Sequence, residues 1–522
     1  MSTTNSSEDA VPSREQVYKT LLRSLRLKKG FGIVFVQCSP AEAMSLIREV
    51  GEDLPQKRIG VLKLTEPIDN LYDLVANRSD CHDLNILFIQ GLEKSLEPYI
   101  KPGYGGEGEY YNLNTVPKIL SHLNQRREGF RDNFSNICFV LILPLFAIKF
   151  FIRRAPDFFD WSSGVFEFPY KREFIEQFYE QLIQGEYSQY LNLTPEEQTQ
   201  KVLGFEMLLE TEQSPERKAN ILFEQGNLFF AGQDMISAIA SYNQAVKIKS
   251  DDPKAWYMLG IALGNLGQFE EAVASYDEAV NIKSDDHQAW YNRGVALGNL
   301  GRFEEAVASF DEAVNIKSDL HEAWYNRGIA LSDLGRLEEA VASYDQAVKI
   351  KSDDHDAWNN RGIALSDLGR LEEAVASYDQ AVKIKSDKHE AWYNRGNALS
   401  DLGRFEEAVA SYDEAVKLKS DYHEVWDNRG YALYKQGKLP DAIKSYDQAI
   451  EIKSDDANVW YNRASAYGDL GDVDQAIENL QTAINLDAKY REMAKTDADF
   501  DSIRNDVRFQ MLIGESGNKI KL

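Results

Sequence analysis

Residues Ala289–Asp319 read A-W-Y-N-R-G-V-A-L-G-N-L-G-R-F-E-E-A-V-A-S-F-D-E-A-V-N-I-K-S-D, and most of that string returns again and again along the chain. Tryptophans stand at Trp256, Trp290, Trp324, Trp358, Trp392, Trp426 and Trp460, each 34 residues after the last, so that seven of the eight tryptophans lie on one ladder. The copies are nearly interchangeable: Asp333–Asp353 and Asp367–Asp387 are identical. A fixed period of this length marks a tandem repeat of small supersecondary units.

Each copy reads as two short helices. In the first, Trp290, Gly294 and Leu297 recur at helical spacing and form one apolar face. Leu300-Gly301 stops it with a C-terminal glycine. The second helix carries Ala306, Phe310 and Ala313, with Val307 and Val314 beside them. Small residues let the two helices approach, and Trp290 and Phe310 are expected to fill the space left. Lys283, Lys317, Lys351, Lys385, Lys419 and Lys453 fall at the end of the second helix, where a cation suits the dipole. Asp285, Asp319, Asp353, Asp387, Asp421 and Asp455 are the expected N-caps of the next first helix. Glu322 and Glu390 sit three residues on, at capping-box spacing. A lone pair of helices cannot bury its indole, but stacked pairs can, so the expected product is an α-solenoid held by neighbour contacts.

The W…G…L…A…Y/F…A pattern at this period resembles the tetratricopeptide-repeat (TPR) family. Leu222, Gly226, Phe229, Ala238, Tyr242 and Ala245 extend it upstream with Leu for Trp, and Ala464, Tyr467, Ala476, Leu480 and Ala483 carry the last copy. About eight units are expected over 215–490. Two positions depart from the family pattern: Arg293 and its equivalents replace Leu, and Ser284 and Ser318 replace Pro. After Tyr490, residues 491–522 resemble a capping helix, with Phe500, Ile503, Phe509 and Leu512 set to cover the last apolar face.

The TPR resemblance implies a ligand groove lined by first-helix positions. On this chain those positions bring forward Tyr257, Tyr291, Tyr325, Asn359 and Tyr393, then Asn397, then Asn265, Asn299, Asp333, Asp367 and Asp401. Tyrosines offer rigid area with a polar tip, and Asn and Asp answer backbone amides, which suits an extended peptide. The acids favour a basic one. Arg293 faces Asp277 or Asp311 and is expected to form a repeated ion pair. The five in-register histidines, His287, His321, His355, His389 and His423, cannot share an ion. They lie two helix packings apart, each ~8–10 Å, against ligand bonds of ~2 Å. No metal is expected.

Residues 17–185 have another character. Apolar runs at Ile33–Val36, Ile59–Leu64, Leu84–Ile89, Ile137–Leu143 and Val165–Phe168 alternate with helical stretches, the pattern of a parallel α/β sheet covered on both faces. Ile137–Ile152 is apolar but is broken by Pro144 and Lys149, and is read as a strand running into a helix. The order of elements resembles a P-loop NTPase of the kind that precedes repeats in signal-transduction ATPases. The phosphate chemistry is missing. Where a Walker A loop needs glycines, a lysine and a hydroxyl, Gln37–Ala43 reads Q-C-S-P-A-E-A. Gln90 stands where an acid would hold magnesium, and Glu93 is the nearest carboxylate. Arg153-Arg154 is read as a solvated basic pair. Tyr104–Tyr111 is a glycine-rich acidic stretch, read as a partner-contact loop. Residues 186–214 are read as a connecting helix that starts at the Thr194-Pro195-Glu196-Glu197 cap.

The net charge of −26 and pI near 4.8 argue against general nucleic-acid binding. Cys38, Cys81 and Cys138 show no paired spacing and are expected to be buried, reduced thiols. Residues 1–16 are polar, with no apolar stretch of a secretory signal, and are expected to be a disordered tail in a cytoplasmic protein. Together these readings predict a non-enzymatic interaction scaffold without a cofactor and with no membrane span. It would bind a protein or peptide, and self-association is left open. The alternative is a nucleotide-sensing regulator of the signal-transduction-ATPase type.

Overall fold

The computed structural model describes residues 12–99, 116–183 and 187–514. The glycine-rich stretch at 104–111 and most of the expected N-terminal tail lie outside them. The chain divides into two compact units, 1–284 and 285–522.

The first unit opens with a five-stranded parallel sheet in the order β2-β3-β4-β1-β5. Its strands are β1 Gly32–Gln37, β2 Ile59–Lys63, β3 Ile86–Gln90, β4 Cys138–Ile142 and β5 Ser162–Glu167. The expected α/β parallel sheet is present, with strand ends shifted by at most three residues. Alternate residues feed opposite faces. Val34, Val36, Phe88 and Val140 pack under α1 (Arg14–Leu27) and α2 (Pro40–Asp53). Phe35, Ile89, Phe139 and Leu141 face the other way, against α3 (Leu71–Ala76), α4 (Lys118–Asn133), α5 (Leu145–Arg154) and α6 (Pro156–Phe159). Pro144 sits between β4 and α5, because it can end a strand and open a helix but continue neither.

After the sheet come α7 (Arg172–Ile183), α8 (Tyr187–Tyr190) and α9 (Pro195–Thr211). The α9 start has the expected capping box between Thr194 and Glu197. Two helix pairs close the unit: α10 (Pro215–Ala231) with α11 (Met235–Ile248), and α12 (Pro253–Asn265) with α13 (Phe269–Ile282).

The second unit is six more pairs. They are α14 (His287–Asn299) with α15 (Phe303–Ile316), α16 (His321–Asp333) with α17 (Leu337–Ile350), α18 (His355–Asp367) with α19 (Leu371–Ile384), α20 (His389–Asp401) with α21 (Phe405–Leu418), α22 (His423–Lys435) with α23 (Leu439–Ile452), and α24 (Ala457–Leu470) with α25 (Val473–Leu486). Helices α26 (Lys489–Thr496) and α27 (Val507–Ile513) follow. Phe500, Ile503 and Phe509 are buried there against Tyr461, Ala464 and Leu480.

In every pair but α24–α25, where Ala464 and Leu480 hold the two places, a glycine lies under an aromatic ring. A Cβ on Gly328 would stand 2.5 Å from Tyr344 Cε1, and the same holds for Gly362 under Tyr378 and Gly396 under Tyr412. These tyrosines are buried almost completely.

Two expectations fail. The tryptophans are only half-buried. Each lies at the edge of its pair: Trp324, Trp358, Trp392, Trp426 and Trp460 donate from Nε1 to the carbonyl of the serine six residues earlier, at 2.9–3.0 Å. The N-caps fall one residue later than expected. Asp286, Asp354 and Asp456 cap with their side chains, while Leu320, Lys388 and Tyr422 hold the equivalent place without a side-chain bond. With His321 and His389 as first helical residues, Glu322 and Glu390 come too early for a capping box. The C-terminal lysines stand as expected, each as the cap of a second helix.

Candidate peptide groove and a cleft at the sheet edge

The repeated arginine is fixed first. Arg327 donates from Nε to Asp311 at 2.6 Å, on the second helix of the preceding pair, and from Nη1 to Ser343 Oγ at 2.6 Å in its own pair. Arg361 does the same with Asp345 and Ser377, and Arg395 with Asp379 and Ser411. Its guanidinium also lies 5.8–5.9 Å from the indole three residues before it. The Leu-to-Arg departure therefore joins one pair to the next and occupies the arginine within the array.

A second ladder runs along the first helices. Asn326 donates to the Tyr291 hydroxyl at 3.0 Å and Asn360 to the Tyr325 hydroxyl at 3.1 Å. Asn394 donates to Asn359 Oδ1 at 3.2 Å, and Asn428 to the Tyr393 hydroxyl at 3.3 Å. Asn397 Oδ1 accepts from Asn428 and from the Tyr412 hydroxyl, at 2.9 and 2.8 Å. The ladder ends on Asp427, which takes Asn458 and Asn462. Desolvation pushes its carboxyl upward in spite of them.

So the stripe of Tyr291, Tyr325, Asn359 and Tyr393 is half-buried and its polar tips are already engaged between repeats. Sequence reasoning missed these asparagines, although their recurrence in W-Y-N-R-G was the signal. Asn299, Asp333, Asp367 and Asp401 are exposed. Asn299 donates back to the Val295 carbonyl at 2.9 Å. No ion pair holds the three aspartates among the described residues. Tyr257 and Asn265 belong to the first unit, half-buried and exposed respectively.

Within the groove face of the second unit a hollow of about 200 Å³ opens beside α14, lined by Val295, Gly298, Asn299, Phe310, Ile329 and Asp333 among others.

The first unit has a separate cleft. About 300 Å³ opens at the carboxyl ends of β1–β4, between Cys38, Met44, Lys63, Gly91, Glu93, Pro144, Tyr170, Phe174 and Met207. Gly91 holds φ +84°, and a Cβ there would meet the Leu64 carbonyl oxygen at 2.1 Å. A neighbouring lobe of about 240 Å³ adds Glu97, Glu206 and Glu210. Burial pushes the Glu93 carboxyl up and leaves Oε2 without a partner among the described residues. Burial and then Glu210 raise Glu206 to about 7. At the start of α2, where a phosphate would sit, the Ser39 hydroxyl already accepts from Glu42 N–H at 3.1 Å. Glu42 itself is buried and ion-paired with Arg14.

The three cysteines are buried, and burial pushes Cys38 to about 12 and Cys138 to about 11, so neither is a thiolate at neutral pH. One group among the described residues could offer three ligand atoms within 4.8 Å, the consecutive Asp354, His355 and Asp356. Asp354 is already the cap of α18. No helix of the described residues is long and apolar enough to cross a membrane.

Family models described as "TPR repeat" match residues 226–267, 396–437 and 430–471, and models described as "Tetratricopeptide repeat" match 257–321, 316–355, 325–389 and 457–490. Residues 226–490 carry TPR repeats. No curated protein matches the chain. Among solved structures, YrrB, "a TPR protein with an unusual peptide-binding site", is 22% identical over 38% of this chain and 97% of its own, with a TM-score of 0.33. MamA is 21% identical over 32% and 96%, with a TM-score of 0.31. The C-terminal part of a TPR repeat-containing protein from Cytophaga hutchinsonii is 17% identical over 47% and 99%, with a TM-score of 0.40. Likenesses of this size say nothing about a ligand.

Proposed function

We propose that this TPR protein is a non-enzymatic interaction scaffold whose first-helix face takes an extended, basic peptide segment of a partner protein. One observation carries the reading. Asp333, Asp367 and Asp401 are exposed at the same position of three successive repeats and make no ion pair, beside the half-buried Tyr and Asn stripe. A row of unneutralised carboxylates on a rigid scaffold attracts and orients a cationic chain. The Asn–Tyr ladder supplies rigidity under it, so little is lost in ordering the site. The test is selection from a displayed library of random peptides by the whole protein. Selected peptides should be enriched in Lys and Arg. Changing Asp333, Asp367 and Asp401 together to Lys should abolish that enrichment; unchanged selection would refute the reading.

A second reading, a nucleotide-sensing regulator, is favoured by the cleft at the carboxyl ends of the strands, the usual ligand position in open parallel sheets. Against it stand the occupied α2 start and the acidic lobe, both unfavourable to phosphate. Calorimetry of the whole protein with ATP and with GTP separates the two: absence of heat removes this one.

A further inference from the structure

The repeats are so alike that a peptide could slide along them in steps of one repeat. The α14–α15 pair differs from the two pairs that follow it; α24–α25, which holds Gly468 and Leu480 at the same two places, has Asp499 and Ser502 close over Gly468. In the second unit, Ser332 Oγ lies 3.4 Å from the Tyr344 hydroxyl, and Ser366 Oγ lies 3.4 Å from that of Tyr378. A serine hydroxyl and a tyrosine hydroxyl thus meet in each of those pairs. In the α14–α15 pair the same two places hold Gly298 and Phe310, so both polar groups are missing. A Cβ built on Gly298 meets nothing within 4 Å. The hollow of about 200 Å³ lies at this spot. Its floor is apolar: Phe310, Val295, Ile329 and Ala330. Its rim is polar: Asn299, Asn326 and Asp333.

We infer that this hollow is an anchor pocket for one aliphatic side chain, Leu or Met, of the bound peptide, and that it sets the peptide's register on the array. The inference rests on the groove reading above. The size and apolar floor call for an uncharged aliphatic group. Asp333 on the rim and Asp367 one repeat further call for a basic residue near the anchor in sequence. The occupant is a partner segment and not a second copy of this chain, because a net charge of −26 makes copies repel. A hydroxyl-lined floor would take no such side chain; the two substitutions remove the hydroxyls.

The test uses residues that the protein itself employs. Gly298→Ser with Phe310→Tyr gives this pair the serine and tyrosine of the two pairs that follow it, so the fold is kept. Peptides selected from a random displayed library by the native protein should share one Leu or Met close to Lys or Arg. Their affinity should fall about tenfold or more in the double variant, or when the anchor is changed to Ala, the value of a buried aliphatic side chain. Adding Ser332→Gly and Tyr344→Phe to the double variant should restore affinity and move the photocrosslinked position of the peptide by one repeat. Selected basic peptides that lack an aliphatic anchor, or that bind native and double-variant protein equally, overturn the pocket while leaving the groove reading standing. Failure to select any peptide overturns both.

Discussion

A methyl group placed on Gly328 would meet the Tyr344 ring at 2.5 Å, whereas one placed on Gly298 meets nothing within 4 Å. Both residues lie in first helices, where Ala for Gly ordinarily stabilises by up to ~1 kcal/mol. Gly298→Ala should therefore raise the urea midpoint slightly. Gly328→Ala should lower it, through a stability loss of about 1–3 kcal/mol, since the ring has no room to retreat. Equal effects at the two sites would show that the ring does not rest on Gly328. The small residues of the repeat gave this contact away in advance. The fate of the indoles was not legible, because it depends on a loop carbonyl and on an arginine whose partner lies in another repeat. Phe310 was legible as a core ring but not as the gap in a floor of hydroxyls, which needs the facing Ser of neighbouring pairs to be seen.

At the scale of the helix pair, the arginine ladder has a measurable share. Arg361 is mostly buried and joins Asp345, Ser377 and Trp358. Arg361→Met keeps the stem and removes three interactions; a loss of about 1–2 kcal/mol is expected on chemical denaturation. Asp345→Asn should cost less, because the carboxylate is about half exposed. No loss for Arg361→Met would make the ladder ornamental.

Helix α9 contributes a pH dependence. Glu206, raised to about 7 by burial, is protonated in the folded state over a range where the unfolded chain has released its proton. Folding thus binds a proton between about pH 4.5 and 7, so stability must fall as pH rises through that window and level off above it. Glu206→Gln should flatten this slope by an amount on the order of 2 kcal/mol, read from denaturation midpoints at pH 5 and pH 8. A slope identical in the two proteins would place the carboxyl in water. The helix starts show why the caps were misread: Asp recurs one residue too early in every copy, while the true cap position changes from Asp to Leu, Lys or Tyr.

Across the molecule, the alternation of apolar runs and helices was enough to announce a parallel sheet, and the 34-residue period was enough to announce paired helices. The strand order was not readable, because β1 lies between β4 and β5 through pairings that no local pattern encodes. The groove positions came from the repeat resemblance; that their hydroxyls are spent on asparagines of the next repeat came only with the fold. The modular construction makes one consequence sharp. Because Asp333–Asp353 and Asp367–Asp387 are identical, excising Asp333–Ser366 joins Ser332 to Asp367 and recreates a junction the chain already contains. Gly328 would lie under Tyr378 as it now lies under Tyr344, and Arg395 would still find Asp379 on the helix before it. If stability is a sum of repeat and nearest-neighbour terms, the shortened protein folds. It should keep its helical signal per residue, and its urea m-value should fall in proportion to the surface removed. Its midpoint should drop modestly. Aggregation, or loss of helical signal on excision, would mean that contacts beyond nearest neighbours hold the array together.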